Sequence, residues 1–340
     1  MFKAYEIFDT LLSLSSRDPT VSELLGSAPD TKKKAMLHEK LCSLPFNTLF
    51  LEVPLLGGVG FDLHICHNAA DIRRQAPYDD DDLYGGYEPL FSWYAAADRG
   101  GDGIDMVYDL RDGWDNKPMA YLQMSGGSPD FAGFFRMTSD AGAADRYFAI
   151  QERLPEGWRT WYTGVHTRRR GNPLRLGNFL RSDTKKRYAE DMRLLDKDLR
   201  TIGFPASLSP IMTDKLKELF AFPVPIDVQL DVFADGTVGD TLGISLGTGH
   251  IGPGAMAASL AGGFARDIME LLESWGVADS RRHLLAKTMF ALSRMLRFAD
   301  GDKQRFILSS KIAFFKVRFK GNMPLAYDAK AYIELTAVRA

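Results

Sequence analysis

The chain has 340 residues, of which 45% are hydrophobic and 25% are charged, and its formal net charge is −2 at pH 7. This composition is that of a folded domain with a sizeable core, and the small net charge gives no reason to expect nucleic acid or an anionic membrane as the main partner. The two cysteines, Cys42 and Cys66, are too few for a disulfide framework or a zinc site. Because the chain lacks a signal-like start and any run of about 18 apolar residues, we expect a cytoplasmic protein.

Segments with helical spacing alternate with pairs of short strands along the whole chain. Residues 1–44 have helical spacing and stop at Pro45. Two runs that alternate between apolar and polar residues follow, 47–55 and 61–67, on either side of a glycine-rich turn. The other strand pairs predicted in this way are 104–110 with 118–124, 158–165 with 173–180, 226–233 with 241–246, and 311–320 with 325–335.

Helical spacing returns between the strand pairs. It predicts mostly helical segments over 71–99 and 128–154, and two helices within 182–222. It also predicts one long amphipathic helix over 256–275 and another over 285–296. A unit of helical segment and hairpin therefore occurs five times, without a linker-like stretch between the units.

Each predicted strand pair has one aliphatic and one polar face. In the last pair, Phe315 and Val317 lie on the aliphatic side, whereas Lys316 and Arg318 lie on the polar side. If every aliphatic face packs against helices, the polar faces all point the other way. Closing the sheet into a barrel then removes its two unpaired edges. A barrel of ten strands is wide enough to hold a ligand. We therefore predict that residues 1–340 form a single α+β domain, a ten-stranded antiparallel β-barrel with helices outside. An open α+β sheet is the alternative.

Three kinds of side chain are predicted to face the inside of this barrel. Several cations around one cavity suit a diphosphate better than a carboxylate, aromatic rings can shield a carbocation, and a buried carboxylate can accept a proton. The cations are Lys117, Arg175, Lys316, Arg318 and Lys330; the aromatic residues are Phe50, Tyr121, Phe179, Phe233, Phe314 and Tyr332, with Trp161 or Tyr162 as further candidates; and the acids are Glu52, Asp62, Asp105, Asp227, Asp231 and Glu334.

This arrangement resembles the ABBA-type aromatic prenyltransferases, in which five αββα repeats form a ten-stranded antiparallel barrel with helices outside (the PT barrel). Phe50-Leu51-Glu52-Val53 is similar to the first-strand segment that carries a basic glutamate in the fungal indole branch, although the serine flanking that glutamate is missing here. Lys330-Ala331-Tyr332 matches the family's Lys-x-Tyr pairs, in which the lysine holds diphosphate and the tyrosine shields the allyl cation; Lys117 with Tyr121 is a looser match. The chain length is closer to that of bacterial members, including those that prenylate cyclic peptides, so the branch stays open.

The resemblance implies a prenyltransferase of natural-product biosynthesis. It would transfer the prenyl group of dimethylallyl or geranyl diphosphate to an electron-rich acceptor, either an aromatic small molecule or a peptide side chain such as Trp, Tyr or His. No cofactor is implied, and the use of Mg²⁺ stays open. The implied roles are Glu52 as catalytic base; Lys117, Arg175, Lys316, Arg318 and Lys330 as diphosphate ligands; Tyr121, Phe233 and Tyr332 as shields of the cation; and Phe50, His64, Trp161 and Phe179 as the acceptor pocket.

Other interpretations of the same residues stay open. Glu52 could form an ion pair with a lysine of the barrel interior instead of acting as a base. The barrel could be a non-catalytic binder of an anionic metabolite or peptide, and an open sheet could serve as a protein-interaction platform. The platform predicts a structure without an enclosed cavity, whereas an assay of prenyl transfer distinguishes the enzyme from the binding barrel.

The remaining motifs do not indicate a second site. Four aspartates at 79–82 are interpreted as a solvated helix start, because the aspartate-rich metal site of isoprenyl synthases needs Asp-Asp-x-x-Asp, usually twice. The cations at 168–170 are interpreted as a solvated turn, and the glycine-rich stretch 243–254 as a connection between a strand and a helix. His64 and His67 stand three residues apart on a strand and point to opposite faces. No metal site is predicted.

Overall fold

The computed structural model describes residues 4–26, 48–75, 87–96, 103–110, 118–124, 129–138, 142–166, 171–249, 251–298, 301–321, 323 and 325–340. Lys117, one of the predicted diphosphate ligands, lies outside the described residues. So do the four aspartates at 79–82 and the cationic turn at 168–170.

The described part of the chain contains eleven strands and eleven α-helices. The strands are β1 (Thr48–Pro54), β2 (Asp62–Asn68), β3 (Gly103–Tyr108), β4 (Met119–Gln123), β5 (Trp158–Val165), β6 (Leu174–Leu180), β7 (Ile226–Val232), β8 (Thr241–Gly247), β9 (Phe290–Arg297), β10 (Lys303–Lys320) and β11 (Ala326–Arg339). The helices are α1 (Ala4–Ser15), α2 (Ser22–Leu25), α3 (Ala69–Gln75), α4 (Glu88–Ala96), α5 (Phe131–Met137), α6 (Ala143–Gln151), α7 (Ser182–Glu190), α8 (Met192–Ile202), α9 (Pro210–Ala221), α10 (Pro253–Gly262) and α11 (Phe264–Ser274). None of these helices is long and apolar enough to cross a membrane.

Ten of the strands close into an antiparallel barrel. Strands β1 to β8 pair in chain order. The barrel closes because β8 pairs with β10, β10 with β11, and β11 with β1. Closure satisfies the backbone groups that an open sheet would leave unpaired along its two edges. The predicted ten-stranded antiparallel barrel is confirmed.

The aliphatic side of the barrel wall packs against the helices and forms the core. Leu49, Leu51 and Val53 of β1 are fully buried in one hydrophobic cluster with helix residues such as Leu195 of α8 and Ile268 of α11. Because side chains alternate along a strand, this packing turns the intervening residues toward the inside of the barrel. The helices therefore lie outside the barrel, as predicted.

The region 285–296 is not the amphipathic helix that its spacing predicted. Residues Ser280–Thr288 form a 3₁₀ helix, and Phe290–Arg297 form β9, which pairs with the first half of β10. Leu292 and Leu296 are four residues apart. This spacing puts them on one face of a helix and equally on one face of a strand. Phe290, Leu296 and Phe298 are all buried and are separated by even numbers of residues. This burial fits one face of a strand.

Two further helix predictions were wrong because a helix breaks within the predicted segment. Region 182–222 contains three helices instead of two, since Asp191 is extended (φ −141°, ψ 95°) and its side chain caps α8. The helix predicted over 256–275 is interrupted at Gly263 (φ −156°, ψ −163°), where the Ser259 hydroxyl accepts a hydrogen bond from the backbone of α11. Local hydrogen bonds start a new helix at each break, whereas the apolar periodicity continues across it.

Candidate active site

The barrel contains a cavity of about 890 Å³. Each of the ten barrel strands contributes side chains to its lining. The lining is the face predicted to be polar, because the helices cover the aliphatic face. The predicted inner chamber is therefore present, and a sheet without an enclosed cavity is ruled out.

Most of the predicted site residues line this cavity. They are Phe50, Glu52, His64, Tyr121, Trp161, Arg175, Phe179, Lys316, Arg318, Lys330 and Tyr332. Phe233 is not among the lining residues: it comes directly after the last residue of β7, where the strand period no longer sets its direction, and its ring lies beside Gly171 and Gly239. Two predicted acids, Asp231 and Glu334, are also outside the lining and form ion pairs with neighbouring cations.

Glu52 lies at the centre of a hydrogen-bonded cluster on three adjacent strands. Its Oε1 accepts a hydrogen bond from Lys330 Nζ, and its Oε2 accepts one from the Tyr332 hydroxyl at 2.7 Å. The Nε2 atom of His64 lies 2.9 Å from the same Oε2. The register explains the cluster, since β1 lies between β2 and β11, and Glu52 is directly opposite Tyr332.

The surroundings of Glu52 hold its carboxyl group in the charged form. Burial opposes that charge, but Lys330, His64 and Lys316 outweigh burial and keep the pKa of Glu52 well below its usual value. Burial and the charge of Glu52 raise the pKa of Tyr332 well above its usual value. Tyr332 is therefore a protonated donor to an ionised carboxylate at neutral pH.

Lys316 is the cation whose charge depends most on its surroundings. Burial, together with the like charges of Arg175 and Arg318, lowers the pKa of Lys316 to about 7, while Glu52 and Asp227 act in the opposite direction. Near neutral pH this lysine is therefore only partly protonated in the unliganded chamber. An anion bound beside it would favour the protonated form.

The two arginines of the lining are held in place by carboxylates. Arg175 donates from Nε and Nη2 to the two carboxylate oxygens of Asp231, at 2.7 and 2.8 Å. Arg318 donates from Nε to Asp328 at 2.7 Å. Such pairs fix the plane of a guanidinium group and leave its other N–H groups for a ligand.

Aromatic rings cover much of the remaining wall. The rings of Tyr332 and Phe314 are stacked, with centroids 4.1 Å apart and an interplanar angle of 21°. Trp161 and Tyr162 meet edge to face at 4.7 Å, and the indole N–H of Trp161 donates to Asp227 at 3.1 Å. These ring faces and edges give the chamber a surface that suits a flat or hydrocarbon ligand.

Two other carboxylates of the lining accept hydrogen bonds of their own. Asp105 accepts a hydrogen bond from Gln123 at 2.5 Å, and Asp62 accepts one from a backbone N–H at 2.9 Å. Burial raises the pKa of Asp105 and that of Asp227. In the described ranges, no group of three or more His, Cys, Asp or Glu side chains is arranged to hold a metal ion.

The predicted sets of inward-facing residues leave out several hydrogen-bonding residues of the lining, among them Gln229 and His166. Gln229 donates to the Tyr162 hydroxyl, and His166 Nε2 is hydrogen-bonded to the Tyr121 hydroxyl. The two-residue period places Gln229 on the polar face of its strand, but its amide belongs to none of the three predicted kinds of side chain. His166 follows the last residue of β5 and carries no such signal.

A glycine in β6 makes room for Tyr162. The Cβ atom of an alanine at Gly177 would lie 1.9 Å from Tyr162 Cε1. We expect Gly177→Ala to displace the ring and its hydrogen bond to Gln229, and to lower the free energy of unfolding by about 1–3 kcal/mol. Thermal unfolding measures this effect against Gly247→Ala, whose Cβ would meet nothing closer than 3.6 Å, at Pro225. Equal melting temperatures of the two variants would contradict it.

Solved structures match the chain over nearly its whole length, whereas no family model and no curated protein matches it. The 5-dimethylallyltryptophan synthase from Streptomyces coelicolor is 12% identical, with a TM-score of 0.54 over 98% of this chain and 97% of that one. The apo form of the prenyltransferase PriB is 12% identical, with a TM-score of 0.51 over 99% of this chain and 96% of that one. PriB in a complex with product diphosphate is 11% identical, with a TM-score of 0.50 over 98% and 96%.

The fold is that of the ABBA-type prenyltransferases. The architecture that the resemblance implied is thereby confirmed. Identities of 11–12% establish the fold alone. The roles of the chamber residues therefore depend on their own geometry and chemistry.

Proposed function

We propose that the protein is a prenyltransferase that joins the prenyl group of an allylic diphosphate to an electron-rich acceptor inside the barrel. The observation that carries this proposal is the Glu52 carboxylate, bonded to Lys330, Tyr332 and His64 within one chamber that also holds three other cations. A base, a set of diphosphate ligands and a set of aromatic shields are the three parts that such a reaction needs. Two proteins of the same fold carry prenyl transfer in their names, one as a dimethylallyltryptophan synthase.

The four described cations of the lining would bind the diphosphate. In the reaction, the bond between the prenyl carbon and the diphosphate oxygen breaks, and the electron pair leaves with the diphosphate. Arg175, Lys316, Arg318 and Lys330 would neutralise that negative charge. Lys117 stays a predicted fifth ligand. PriB in a complex with product diphosphate supports this assignment by fold analogy.

The aromatic rings would stabilise the allyl cation until the acceptor attacks it. Each ring face contributes about 0.5–2 kcal/mol of cation–π attraction. Tyr332, stacked on Phe314, and Tyr121 are the proposed shields. The enclosed chamber limits the water that would otherwise quench the cation. Phe233 is left out of this set because it does not line the chamber.

Glu52 would take up the proton that the acceptor loses. When the acceptor's electron pair forms the new bond, the product is a cationic adduct, which returns to neutrality by giving a proton to the carboxylate. The low pKa of Glu52 does not prevent this step when a ring carbon attacks, because the cationic adduct of an arene is a far stronger acid than a carboxylic acid. A diphosphate that attracts Lys330 would also weaken the ion pair and make Glu52 more basic.

The acceptor would be an aromatic small molecule or an aromatic peptide side chain such as Trp, Tyr or His. Phe50, His64, Trp161 and Phe179 are the proposed walls of its pocket. Incubation with dimethylallyl or geranyl diphosphate and acceptors of each kind, followed by mass spectrometry, tests the proposal. The added isoprenoid mass is expected on at least one acceptor. Tight binding of pyrophosphate without transfer to any acceptor would instead indicate a non-catalytic binding barrel.

The affinity for pyrophosphate is expected to fall as the pH rises through about 7, because Lys316 must be protonated to hold the anion. Below that pH the lysine already carries its charge; above it, binding must bring a proton, and the affinity falls by about tenfold per pH unit. Lys316→Arg stays charged and should lose this dependence. The measured quantity is the ratio of the dissociation constants of the parent protein and of Lys316→Arg. Protonation of pyrophosphate itself affects both constants equally and so does not change their ratio. A constant ratio from about pH 6 to about pH 9 would contradict this role.

A further inference from the structure

Strands β10 and β11 continue beyond the barrel and form a small open sheet with β9. The first half of β10 pairs with β9 on one side and with the end of β11 on the other. One face of this extension is buried, since Leu296, Phe306 and Leu308 belong to the core. The opposite face is exposed.

The exposed face continues the wall of the chamber. Lys330 and Tyr332 line the cavity, and at a two-residue period Thr336 and Val338 lie on the same side of β11. Thr336 pairs with Thr48, a lining residue at the start of β1. Glu334 lies between Tyr332 and Thr336 on this side of β11 and is paired with Lys311, so a ligand on the extension would reach the chamber by passing over this ion pair.

We call the outer part of this face the ledge. It consists of Met295, Arg297, Lys303, Arg305, Ile307 and Val338. The apolar members are half exposed, Met295 at 51%, Ile307 at 50% and Val338 at 54%. None of the three cations forms an ion pair with another residue in the ranges the structure covers. Exposed cations beside exposed aliphatic groups suit a ligand with both acidic and apolar groups.

Strand β9 adds an edge that can bind a polypeptide backbone. In the described chain β9 pairs only with β10, so its other edge presents unpaired N–H and C=O groups. An extended peptide can add to such an edge. A membrane surface is the less suitable occupant, because the ledge has neither aromatic anchors nor the clusters of four or more cations that bind anionic lipids.

We propose that the ledge docks an extended, acidic polypeptide segment and that the acceptor of the transfer is a peptide. The second part of this inference rests on the proposed function, whereas the docking does not. Val338 and Tyr332 are six residues apart along β11, which corresponds to roughly 20 Å of extended chain. The modified aromatic residue would therefore lie about six residues from the docked segment.

Fluorescence anisotropy with the full-length protein tests the docking. The probe is a labelled peptide of about twelve residues that alternates glutamate with valine and threonine, an extended pattern. The test variant is Arg297→Glu with Arg305→Glu, and the control is Lys197→Glu with Lys217→Glu, two exposed cations on α8 and α9. Both double variants change the net charge equally. We expect the ledge variant to bind the probe about tenfold more weakly and the control to bind it as the parent does.

Several results would overturn the docking. They are equal losses in both double variants, equal binding of a peptide with lysine in place of glutamate, and binding only of vesicles that contain anionic phospholipid. Probe binding that requires replacement of the aspartates at 79–82 by asparagine would show that the chain itself occupies the ledge. Prenyl transfer to a small aromatic acceptor is expected to be unchanged in the ledge variant. If the probe binds but no acceptor is prenylated, the docking stands and the proposed function fails.

Discussion

Glu52→Gln is expected to lower the turnover of prenyl transfer by about 10²–10³-fold. Glutamine keeps the shape of the side chain but cannot take up the proton that the cationic adduct must lose. Its neutral amide also removes a negative charge from beside Lys330 and Lys316. Pyrophosphate should therefore bind as tightly as before, or more tightly. Single-turnover rates with a bound prenyl diphosphate, together with calorimetric binding of pyrophosphate, measure the two effects separately.

The split between rate and binding distinguishes a lost base from a damaged fold. Removing the partner of a buried charge can itself destabilise a protein by about 3–5 kcal/mol, and a misfolded variant would lose both turnover and binding. Glu334→Gln is the matched control, since Glu334 lies on the same side of β11 but outside the chamber lining. Unchanged turnover in Glu52→Gln would rule out Glu52 as the base and leave it as the partner of Lys330.

Lys330→Ala is expected to weaken the binding of the prenyl diphosphate by about 10- to 100-fold, since a hydrogen bond to a charged group contributes about 1.5–3 kcal/mol. The same change removes the charge that does most to lower the pKa of Glu52, so the pKa of that carboxyl should rise. Titration of the protein with pyrophosphate measures the first effect. The pH–rate profile at saturating substrate reports the second effect, because turnover requires ionised Glu52. Its acidic limb should move to higher pH in the variant.

Lys311→Ala provides the comparison for this experiment. Lys311 is also on β10–β11, where it pairs with Glu334 at 3.7 Å, but it does not line the chamber. Its loss should leave pyrophosphate binding within about twofold, because Lys311 is neutralised by Glu334 and lies outside the chamber lining. If Lys311→Ala and Lys330→Ala weakened the binding of pyrophosphate equally, the affinity would depend on the net charge of the protein and not on a site at Lys330.

Most of the barrel could be predicted because its strands have two unlike faces. In β1, Leu49 and Leu51 alternate with Phe50 and Glu52, and this alternation decided which residues face the chamber before any pairing was known. The prediction failed where the alternation ends, as at Phe233, and where strand and helix spacings coincide, as in β9. It had no means of finding His166, which lies beyond the end of a strand.

The contacts around Glu52 depend on strand register. Glu52 and Lys330 are 278 residues apart in the chain and meet only because β11 closes the barrel against β1. Their ion pair, the low pKa of Glu52 and the pKa of about 7 for Lys316 all follow from that closure and from burial. The sequence alone left open whether Glu52 was a base or an ion-pair partner, and in the unliganded chamber it is paired with Lys330.

The amino-acid sequence by itself determined the number of barrel strands and which side chains point inward, because a two-residue period is a local property that survives any arrangement of the strands. Tertiary structure decided which of those side chains touch and how far their pKa values are shifted. It also decided that β9 extends the wall into an exposed ledge. These features depend on register, closure and desolvation. All three arise only when residues far apart in the chain are brought together.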